Sequence, residues 1–450
     1  MEKLFLKEIA EAVGGTILFG GDDVYSESVV MDSRKVTEHS LFFGIVGEHV
    51  DGNDYFLAAF EQGASIAIIE RDMDVIPTDQ KGLIKVDSTR DAMVELAKYY
   101  RNKVLKDIRF IAVTGSTGKT TVKDLLSGML QSQYKVFKTR GNYNNELGLP
   151  LMIFSMDSSY ELAVLEMGMS SFGEIHLLAD IVRPEFAMIT NIGSSHIEIL
   201  KTKENILKAK LEIADYFNED NTLFLNGDDP MLATVTEKPY TIVTAGITVG
   251  RYRARNISLE PGWSEFDVTL DDEDLGRIRL DVPGMHNVSN GVLSFAVAHH
   301  LGITTEDLSG MTMEHTGMRL EELVYPHVTV INDAYNSSPE SARAGLDTLF
   351  LRDGRKVAIF GDMMELGDYA EKAHEEIGAY ARDKVDVFIA VGDHSRNYGE
   401  GFGSQDFHGY PTFEDAVIAL PNLLDEGDLV YLKASRSRKF ERFLDLLERI

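Results

Sequence analysis

A glycine-rich turn, Thr114-Gly115-Ser116-Thr117-Gly118-Lys119-Thr120-Thr121, constrains the fold of this chain more than any other stretch. The mostly apolar residues 108–113 before it predict a buried strand, and residues 122–129 after it carry apolar side chains at helical spacing. At the start of such a helix, backbone N–H groups and the helix dipole favour an anion, a lysine adds positive charge, and a threonine hydroxyl suits Mg²⁺. The first glycine position of the full phosphate-loop pattern holds Val113, so a plain helix entry is the alternative. We predict a nucleoside triphosphate site formed by Gly115, Ser116, Thr117, Gly118, Lys119, Thr120 and Thr121.

The chain is strongly acidic, and this narrows the classes of partner. Its 450 residues include 44 Lys and Arg against 73 Asp and Glu, a formal net charge of -29, which argues against binding to nucleic acids or anionic membranes. An anionic substrate must then be held by helix N-termini and individual basic side chains. The chain has no cysteine, which excludes disulfides, thiolate metal sites and cysteine nucleophiles. Since neither a signal peptide nor a run near the ~18 apolar residues of a spanning helix is present, we expect a cytoplasmic protein without membrane insertion.

The order of predicted strands and helices indicates an α/β protein of about three domains. We predict a small α/β domain at residues 1–104, a central parallel-sheet domain with the phosphate loop at 105–315, and a second α/β domain at 316–450. Residues 257–282 alternate between apolar and polar side chains and predict a hairpin.

Two further candidate residues follow predicted strands of the central domain. Glu166 ends the strand at 162–165, and His196 follows the strand at 186–192. Ligands of parallel α/β sheets bind at the carboxyl ends of the strands, so a carboxylate there suits Mg²⁺. An ordinary loop histidine is the alternative for His196. The next predicted helix, 204–216, contains Lys208 and Lys210, which are solvated charges in the simplest interpretation.

Polar loops supply other candidates, each with a structural alternative. Ser33 and Arg34 follow a predicted strand and form either a plain turn or a contact to a diphosphate or uridine. The amide-rich segment 138–146, with Asn142 and Asn145, has no apolar period and is expected to be a ligand-binding loop. Asn287 and Asn290 are either caps of the helix predicted at 292–298 or amides that contact a base.

The predicted C-terminal domain contains two polar turns after strands. Residues 332–340 follow the strand at 328–331, with Ser337 and Glu340 at capping-box spacing, Pro339 in the first helical turn, and Asp333 and Asn336 outside the cap. Residues 433–439 form a cationic turn after the strand at 429–432, before a helix predicted at 440–447. In so acidic a chain this turn suits a carboxylate ligand, and a solvated basic loop is the alternative.

Taken together, these motifs resemble the Mur ligases of peptidoglycan synthesis over the full length of the chain. Within the family, the amide-rich loop and the Asp-Ala-Tyr-Asn motif are most similar to the branch that adds D-alanyl-D-alanine. The motifs that carry the resemblance are residues 114–120, 141–150, 165–168, 190–192 with His196, 209–210, 284–287 with Asn290, 332–341 and 360–367. One departure is Met169-Ser170-Ser171-Phe172-Gly173, where many relatives have an Asn-His type pair.

The resemblance implies a role for each matched residue. Lys119 is expected to hold the β- and γ-phosphates of ATP, with Thr120 and Glu166 on one Mg²⁺ and Glu166, His196 and Lys210 on a second. In this scheme Lys210 acts as its carbamate. The residues implied to contact the base, ribose or phosphates of ATP are Asn290, Arg319, Asp333 and Asn336, and those implied to contact the other substrates are Ser33, Arg34, Asn142, Asn145 and Arg436.

The resemblance also implies the reaction. An ATP-dependent peptide ligase of this kind joins D-alanyl-D-alanine to UDP-N-acetylmuramoyl-tripeptide through an acyl phosphate, with residues 1–104 binding the UDP end and a Rossmann-like C-terminal domain receiving the dipeptide. We expect a monomer.

A diaminopimelate- or lysine-adding Mur ligase is an alternative, although no Asp-Asn-Pro-Arg motif is present. A folylpolyglutamate synthetase-like enzyme lacks a first domain like 1–104, and a regulatory nucleotide switch has no need of Lys210 as a carbamate.

Overall fold

The computed structural model describes residues 1–72, 81–311 and 317–449. The chain divides into two compact units. The first comprises Met1–Val113, Gln133–Ala187 and Glu212–Asn221, and the second comprises Thr114–Ser132, Met188–Leu211 and Thr222–Ile450. The domain boundary predicted between residues 315 and 316 lies outside the described residues, so the three predicted domain ranges stay a prediction.

Helices and strands are distributed along the whole described part of the chain. Within the described residues the α-helices are α1 (Leu6–Val13), α2 (Phe56–Glu61), α3 (Thr89–Lys103), α4 (Lys119–Leu130), α5 (Gly148–Phe154), α6 (Glu174–Val182), α7 (Ile197–Leu200), α8 (Lys203–Leu211), α9 (Met285–His300), α10 (Pro339–Phe350), α11 (Ala370–Ala381), α12 (Ser395–Phe402), α13 (Phe413–Ala419) and α14 (Leu444–Leu447). The strands are β1 (Leu4–Phe5), β2 (Thr16–Phe19), β3 (Tyr25–Ser26), β4 (Ser28–Val30), β5 (Ser40–Phe43), β6 (Ile66–Ile69), β7 (Gly82–Lys85), β8 (Arg109–Thr114), β9 (Val136–Lys138), β10 (Leu162–Glu166), β11 (Phe186–Ile189), β12 (Thr222–Asn226), β13 (Thr241–Gly246), β14 (Tyr252–Glu260), β15 (Trp263–Leu270), β16 (Glu273–Leu280), β17 (Glu321–Val324), β18 (Val328–Asn332), β19 (Lys356–Gly361), β20 (Val387–Val391), β21 (Phe407–Tyr410) and β22 (Asp428–Lys433).

The first unit contains a five-stranded sheet in the order β2-β7-β6-β5-β4. Strands β4 to β7 are parallel, and β2 pairs antiparallel with β7. Phe42, Ala67 and Leu83 of this sheet pack against Phe56 and Phe60 of α2. The same unit also holds parallel pairs of β10 with β8 and with β9. In the β8–β10 pair, Val113 and Glu166 are register partners, so Glu166 lies at the carboxyl end of its strand as predicted.

The second unit contains two groups of strands. Strands β12, β13 and β14 pair in parallel, and β14, β15 and β16 form an antiparallel meander, which confirms the hairpin prediction and extends it by one strand. A six-stranded sheet runs in the order β17-β18-β22-β19-β20-β21, with antiparallel β17 at one edge and parallel pairs elsewhere.

Helices cover both faces of this six-stranded sheet. Successive residues of each strand point to opposite faces, so their side chains pack into two separate hydrophobic cores. Ile331 and Phe360 pack on one face with side chains of α10, α11 and α12. Val330 and Ile359 pack on the other face with side chains of α13 and α14. Buried on both faces, the central strands are almost continuously apolar, which is why the sequence predicts them well. The α/β fold class is confirmed.

Several predicted boundaries need correction. Strand β11 ends at Ile189, not residue 192, because the following residues bind other loops. Helix α8 ends at Leu211, not residue 216, since the Glu212 carboxylate accepts the backbone N–H groups of Gly173 and His176 at the start of α6. The helix predicted at 440–447 is a 3-10 turn, Phe440–Phe443, followed by α14.

Candidate active site

The glycine-rich turn is the loop that connects strand β8 to helix α4. Gly115 has φ +151° and Gly118 has φ +80°, backbone conformations that favour glycine, and Gly118 is the N-cap of α4. The first backbone N–H groups of α4 have no acceptor within the helix, and the positive end of its dipole lies there. This loop therefore has the local backbone geometry that favours an anion, and the nucleoside triphosphate contacts predicted for it stay a prediction.

Hydrogen bonds to the segment after β11 fix the conformation of the loop. The N–H of Ser116 donates to the Asn191 carbonyl at 3.0 Å, and the N–H of Thr117 donates to Asn191 Oδ1 at 3.0 Å. In return, the N–H of Gly193 donates to Ser116 Oγ at 2.9 Å, and Thr190 Oγ1 donates to the Thr117 carbonyl at 2.5 Å. These groups of Ser116 and Thr117 hold the loop in shape. Sequence reasoning assigned both residues to ATP and missed this role.

Two lysines of the second unit occupy contrasting environments. Lys119 Nζ donates to the Gly115 carbonyl at 2.7 Å, so the side chain folds over the phosphate loop. Lys210, in α8, is 2 % exposed, whereas the neighbouring Lys208 is exposed. Burial, and secondarily the charge of Lys119, hold the pKa of Lys210 well below 10.5. The simplest interpretation of Lys210, a solvated ammonium, is wrong, and its amine is biased toward the neutral form.

His196 lies beside a carboxylate that sequence reasoning did not assign. It has φ +62° at the start of α7, and its Nδ1 is 2.6 Å from Glu365 Oε2. The distance is that of an ion pair, although the angle is not that of a straight hydrogen bond. The close contact with the His196 side chain lowers the pKa of Glu365, against the opposing effect of burial. The sequence motif 360–367 contains Glu365, but its residue pattern does not indicate His196 as a partner.

A second carboxylate, Glu340, contacts the same segment. It accepts the Ser194 backbone N–H at 2.9 Å and lies 3.1 Å from Ser194 Oγ. The predicted capping box of Ser337 and Glu340 is wrong. The N-cap of α10 is Ser338, which exchanges hydrogen bonds with Ser341, and Pro339 begins the helix as predicted. With the cap formed by serines, the Glu340 carboxylate is available to Ser194.

Of the residues expected to contact ATP outside the phosphate loop, Asn290 lies in α9, and the others lie in the C-terminal part of the second unit. Asn290 lies inside α9, whose N-cap is Gly284, so it is not the cap that one interpretation proposed. A Cβ atom at Gly118 would lie 3.0 Å from Asn290 Oδ1, which places this amide against the start of α4. Arg319 stacks 4.1 Å from the centre of the Tyr335 ring, and the side chain of Asn336 accepts the N–H of Ser337.

Asp333 is held by buried partners. Its Oδ2 accepts Tyr431 OH at 2.8 Å and Lys433 Nζ at 2.5 Å, and Lys433 is 3 % exposed. Nearby, burial lowers the pKa of His286 to about 4, although the charge of Asp333 opposes this shift. The geometry therefore gives Asp333 a structural role, and its predicted contact with ATP stays a prediction.

In the first unit, Glu166 is buried and firmly held. Its Oε1 accepts Asn144 Nδ2 at 2.8 Å, and its backbone N–H donates to Thr139 Oγ1 at 2.9 Å. Asn145 instead accepts the N–H of Gly148 at the start of α5, and Asn142 is exposed. Sequence reasoning therefore missed Asn144. The predicted sharing of Mg²⁺ by Glu166 and residues of the second unit stays a prediction.

The other basic candidates are paired with acids. Arg34 binds Asp32 through Nε at 2.9 Å and Nη2 at 2.8 Å and holds the pKa of Asp32 at about 2, with Ser33 in the same turn. Arg436 Nη1 lies 3.0 Å from Glu441, and Arg438 pairs with Asp362 at 2.6 Å. An anionic ligand would have to compete with these carboxylates.

The donor set decides how well a metal fits. The described residues contain no group of three or more His, Cys, Asp or Glu side chains that could hold a metal ion. A site in the second unit would need Thr120 and His196 completed by an oxygen ligand, which a carbamate on the buried Lys210 would supply. In the described part of the chain, every helix is too short or too polar to cross a bilayer.

Comparison with known proteins shows similarity along most of the chain. The family descriptions that match are "Mur ligase family, catalytic domain" at residues 26–101, "Mur ligase middle domain" at 113–298, and "Mur ligase, glutamate ligase domain" at 318–436. The UDP-N-acetylmuramoyl-tripeptide--D-alanyl-D-alanine ligase of Bacillus subtilis is 37% identical, covering 100% of this chain and 99% of the relative.

Solved structures show the same similarity. A crystal structure of MurF from Acinetobacter baumannii has a TM-score of 0.92 and 29% identity, covering 100% of this chain and 99% of that one. The MurF ligase of Thermotoga maritima, solved in complex with ADP, has a TM-score of 0.82 and 28% identity, covering 94% of this chain and 97% of that one.

The buried Lys210 leads to a prediction about stability. Because its pKa is lower in the folded state than the unfolded value of 10.5, the unfolded chain binds the additional proton between these values. The free energy of unfolding therefore falls as pH falls through that interval. In CO₂-depleted, Mg²⁺-free buffer, Lys210→Met should be more stable than wild type by at least about 1 kcal/mol at about pH 7, and by less at about pH 9, measured by urea unfolding.

The exposed Lys208 provides the control for this measurement. Lys208→Met should change the free energy of unfolding by no more than about 0.5 kcal/mol at either pH. Parallel pH dependence of Lys210→Met and wild type would mean that folded Lys210 keeps its ammonium.

Proposed function

The chain belongs to the Mur ligase family, and from this we infer that it is an ATP-dependent ligase that joins D-alanyl-D-alanine to UDP-N-acetylmuramoyl-tripeptide. The observation that carries the substrate assignment is the full-length similarity to a relative named for this reaction. The neighbour solved with ADP supports ATP as the phosphoryl donor. The product is a peptidoglycan precursor needed for cell shape and division. We propose that the protein acts in the cytoplasm as a monomer.

The reaction needs activation because a carboxylate is a poor acyl donor. A carboxylate oxygen of the tripeptide attacks the γ-phosphorus of ATP, the bond to the β–γ bridging oxygen breaks, and ADP leaves. The amine of D-alanyl-D-alanine then attacks the acyl phosphate carbonyl. The resulting tetrahedral intermediate loses inorganic phosphate and a proton to give the amide. The first step brings an anionic nucleophile to an anionic phosphate, so the site must neutralise charge.

The residues around the phosphate loop suit this task. We propose that the first N–H groups of α4 and the ammonium of Lys119 bind the β- and γ-phosphates. Thr120, Glu166, His196 and carbamylated Lys210 are the proposed magnesium ligands. When bound, Mg²⁺ would shield the carboxylate from the γ-phosphate. Burial of Lys210 supports the carbamate, because a neutral amine reacts with CO₂ and the product supplies two oxygens.

The remaining candidates would bind the ends of the substrates. We propose that Asn290 and Arg319 contact ATP, since the first lies against the start of α4 and the second is already stacked on Tyr335. Other proposed contacts rest on the family resemblance alone: Asp333 and Asn336 for ATP, Ser33 and Arg34 for the UDP end, Asn142 and Asn145 for the muramyl peptide, and Arg436 for the dipeptide carboxylate.

Removal of the Lys119 ammonium tests the proposed reaction. Wild type should release ADP only when ATP, the UDP-linked tripeptide and D-alanyl-D-alanine are all present for turnover, whereas Lys119→Ala should lose at least about 100-fold in kcat. Binding of the UDP-linked substrate, measured by calorimetry, should change little in the variant. Near-normal ligation by Lys119→Ala would contradict the phosphate assignment. Turnover with lysine or diaminopimelate as the amine would contradict the substrate assignment.

Chemical rescue tests the carbamate on Lys210. Lys210→Ala should lose most activity, and formate or acetate should restore part of it because a small carboxylate can fill the vacated oxygen position. Lys208→Ala, a change at the exposed lysine two residues earlier, should keep activity within about twofold and gain nothing from formate. Full activity of Lys210→Ala without added acid would exclude the carbamate.

A further inference from the structure

The contact between Glu365 and His196 links two segments that are distant in sequence. Glu365 follows β19 in the C-terminal part of the second unit, and His196 is the N-cap of α7 in the central part. Oε2 of the glutamate lies 2.6 Å from Nδ1 of the histidine, and the Glu198 N–H donates to the Glu365 carbonyl at 3.2 Å. The side chain and the backbone of Glu365 therefore both contact the segment that carries His196.

The loop that presents Glu365 is fixed residue by residue. Asp362 is fully buried and accepts the N–H groups of Asp393 at 3.1 Å and His394 at 3.0 Å. The next residue, Met363, donates its N–H to His374 at 2.9 Å, and Met364 donates its N–H to Ser435 Oγ at 3.0 Å. Glu365 itself has φ +64°, a left-handed backbone conformation that is strained for a residue other than glycine. Such a loop determines where the Glu365 carboxylate lies.

The segment that carries His196 is anchored to the phosphate loop. Asn191 and Gly193 exchange hydrogen bonds with Ser116 and Thr117, as described above. Nδ1 of His196 is buried, and the Glu365 carboxylate lies 2.6 Å from it. The segment that carries His196 is thus hydrogen-bonded to the phosphate loop, and the His196 imidazole contacts a carboxylate on a loop whose preceding residues are hydrogen-bonded.

We propose that Glu365 is a positioning residue for His196. Its carboxylate holds the Nδ1 side of the imidazole, so that the lone pair of Nε2 stays available for the proposed role of His196 as a magnesium ligand. A carboxylate on one ring nitrogen fixes the orientation and the tautomer of the ring, as partners of metal-bound histidines do. This inference rests on the proposed function for the role of His196. If Glu365 orients His196, a residue of the C-terminal segment contributes to the proposed active site of the central segment.

If Glu365 had a purely structural role, its replacement would change different kinetic constants. Glu340, which accepts the backbone N–H and the hydroxyl of Ser194 in the same segment, exemplifies such a contact. Loss of a contact that only attaches two segments should weaken substrate binding and raise KM. Loss of a residue that orients His196 should lower kcat and change the imidazole itself.

Three variants separate these roles. Glu365→Met removes the carboxylate at similar length, and Glu365→Gln keeps an oxygen that can accept from Nδ1. Glu237→Met is the matched control, since Glu237 is exposed and also has positive φ (55°). Imidazole nitrogen NMR of histidine-labelled, nucleotide-free protein reports the tautomer directly. Because the chain has 12 His, His196→Gln identifies the relevant signal.

In wild type, the His196 signal should be that of a ring protonated at Nδ1. This signature should be lost in Glu365→Met, retained in Glu365→Gln, and unchanged in Glu237→Met. In the ligation assay, kcat should fall about 10- to 100-fold in Glu365→Met and less in Glu365→Gln, with KM within about threefold of wild type.

An unchanged His196 signal in Glu365→Met would overturn the proposal, and so would a rise in KM with normal kcat. Failure of the proposed function is distinguishable from both outcomes. In that case wild type would show no ligation, while the NMR comparison would still report whether Glu365 sets the His196 ring.

Discussion

The hydrogen bonds between the phosphate loop and the segment after β11 are the interaction on which the rest of the site depends. Asn191 accepts the N–H groups of Ser116 and Thr117 with its backbone and side-chain oxygens, and Gly193 binds back to Ser116. A glycine-rich loop is conformationally free by itself, so these bonds supply the order that an anion cradle needs. They also determine where Ser194 and His196 lie, and therefore where Glu340 and Glu365 can bind.

The site is assembled from groups that would be costly in isolation. Lys210 is buried with its pKa well below its usual value, partly because Lys119 is near, and Glu365 occupies a strained backbone conformation. Both features reduce stability without strengthening the fold. Such costs are typical of functional positions, where pKa shifts and strain serve the reaction. A carbamate on Lys210 would turn the repelled cation into an anion and remove its charge conflict with Lys119.

The sequence predicts local features well and long-range partners poorly. The phosphate loop, the strand that ends in Glu166 and the sheet of the C-terminal segment follow from apolar periodicity and glycine spacing, because short-range sterics and burial determine them. The role of Glu365 could not be predicted, since Glu365 and His196 are far apart in the sequence and no local pattern links them. Asn144 was missed for a simpler reason. In an amide-rich loop, composition does not indicate which amide faces Glu166.

The central claim is that this chain activates a carboxylate as an acyl phosphate. A heavy-oxygen label in the terminal carboxylate of the UDP-linked tripeptide tests it most directly, because each oxygen can be followed by mass spectrometry. If the carboxylate is phosphorylated, one labelled oxygen per turnover should leave in inorganic phosphate, and the amide product should retain the other. Unlabelled phosphate, with ligation still dependent on ATP, would contradict the account.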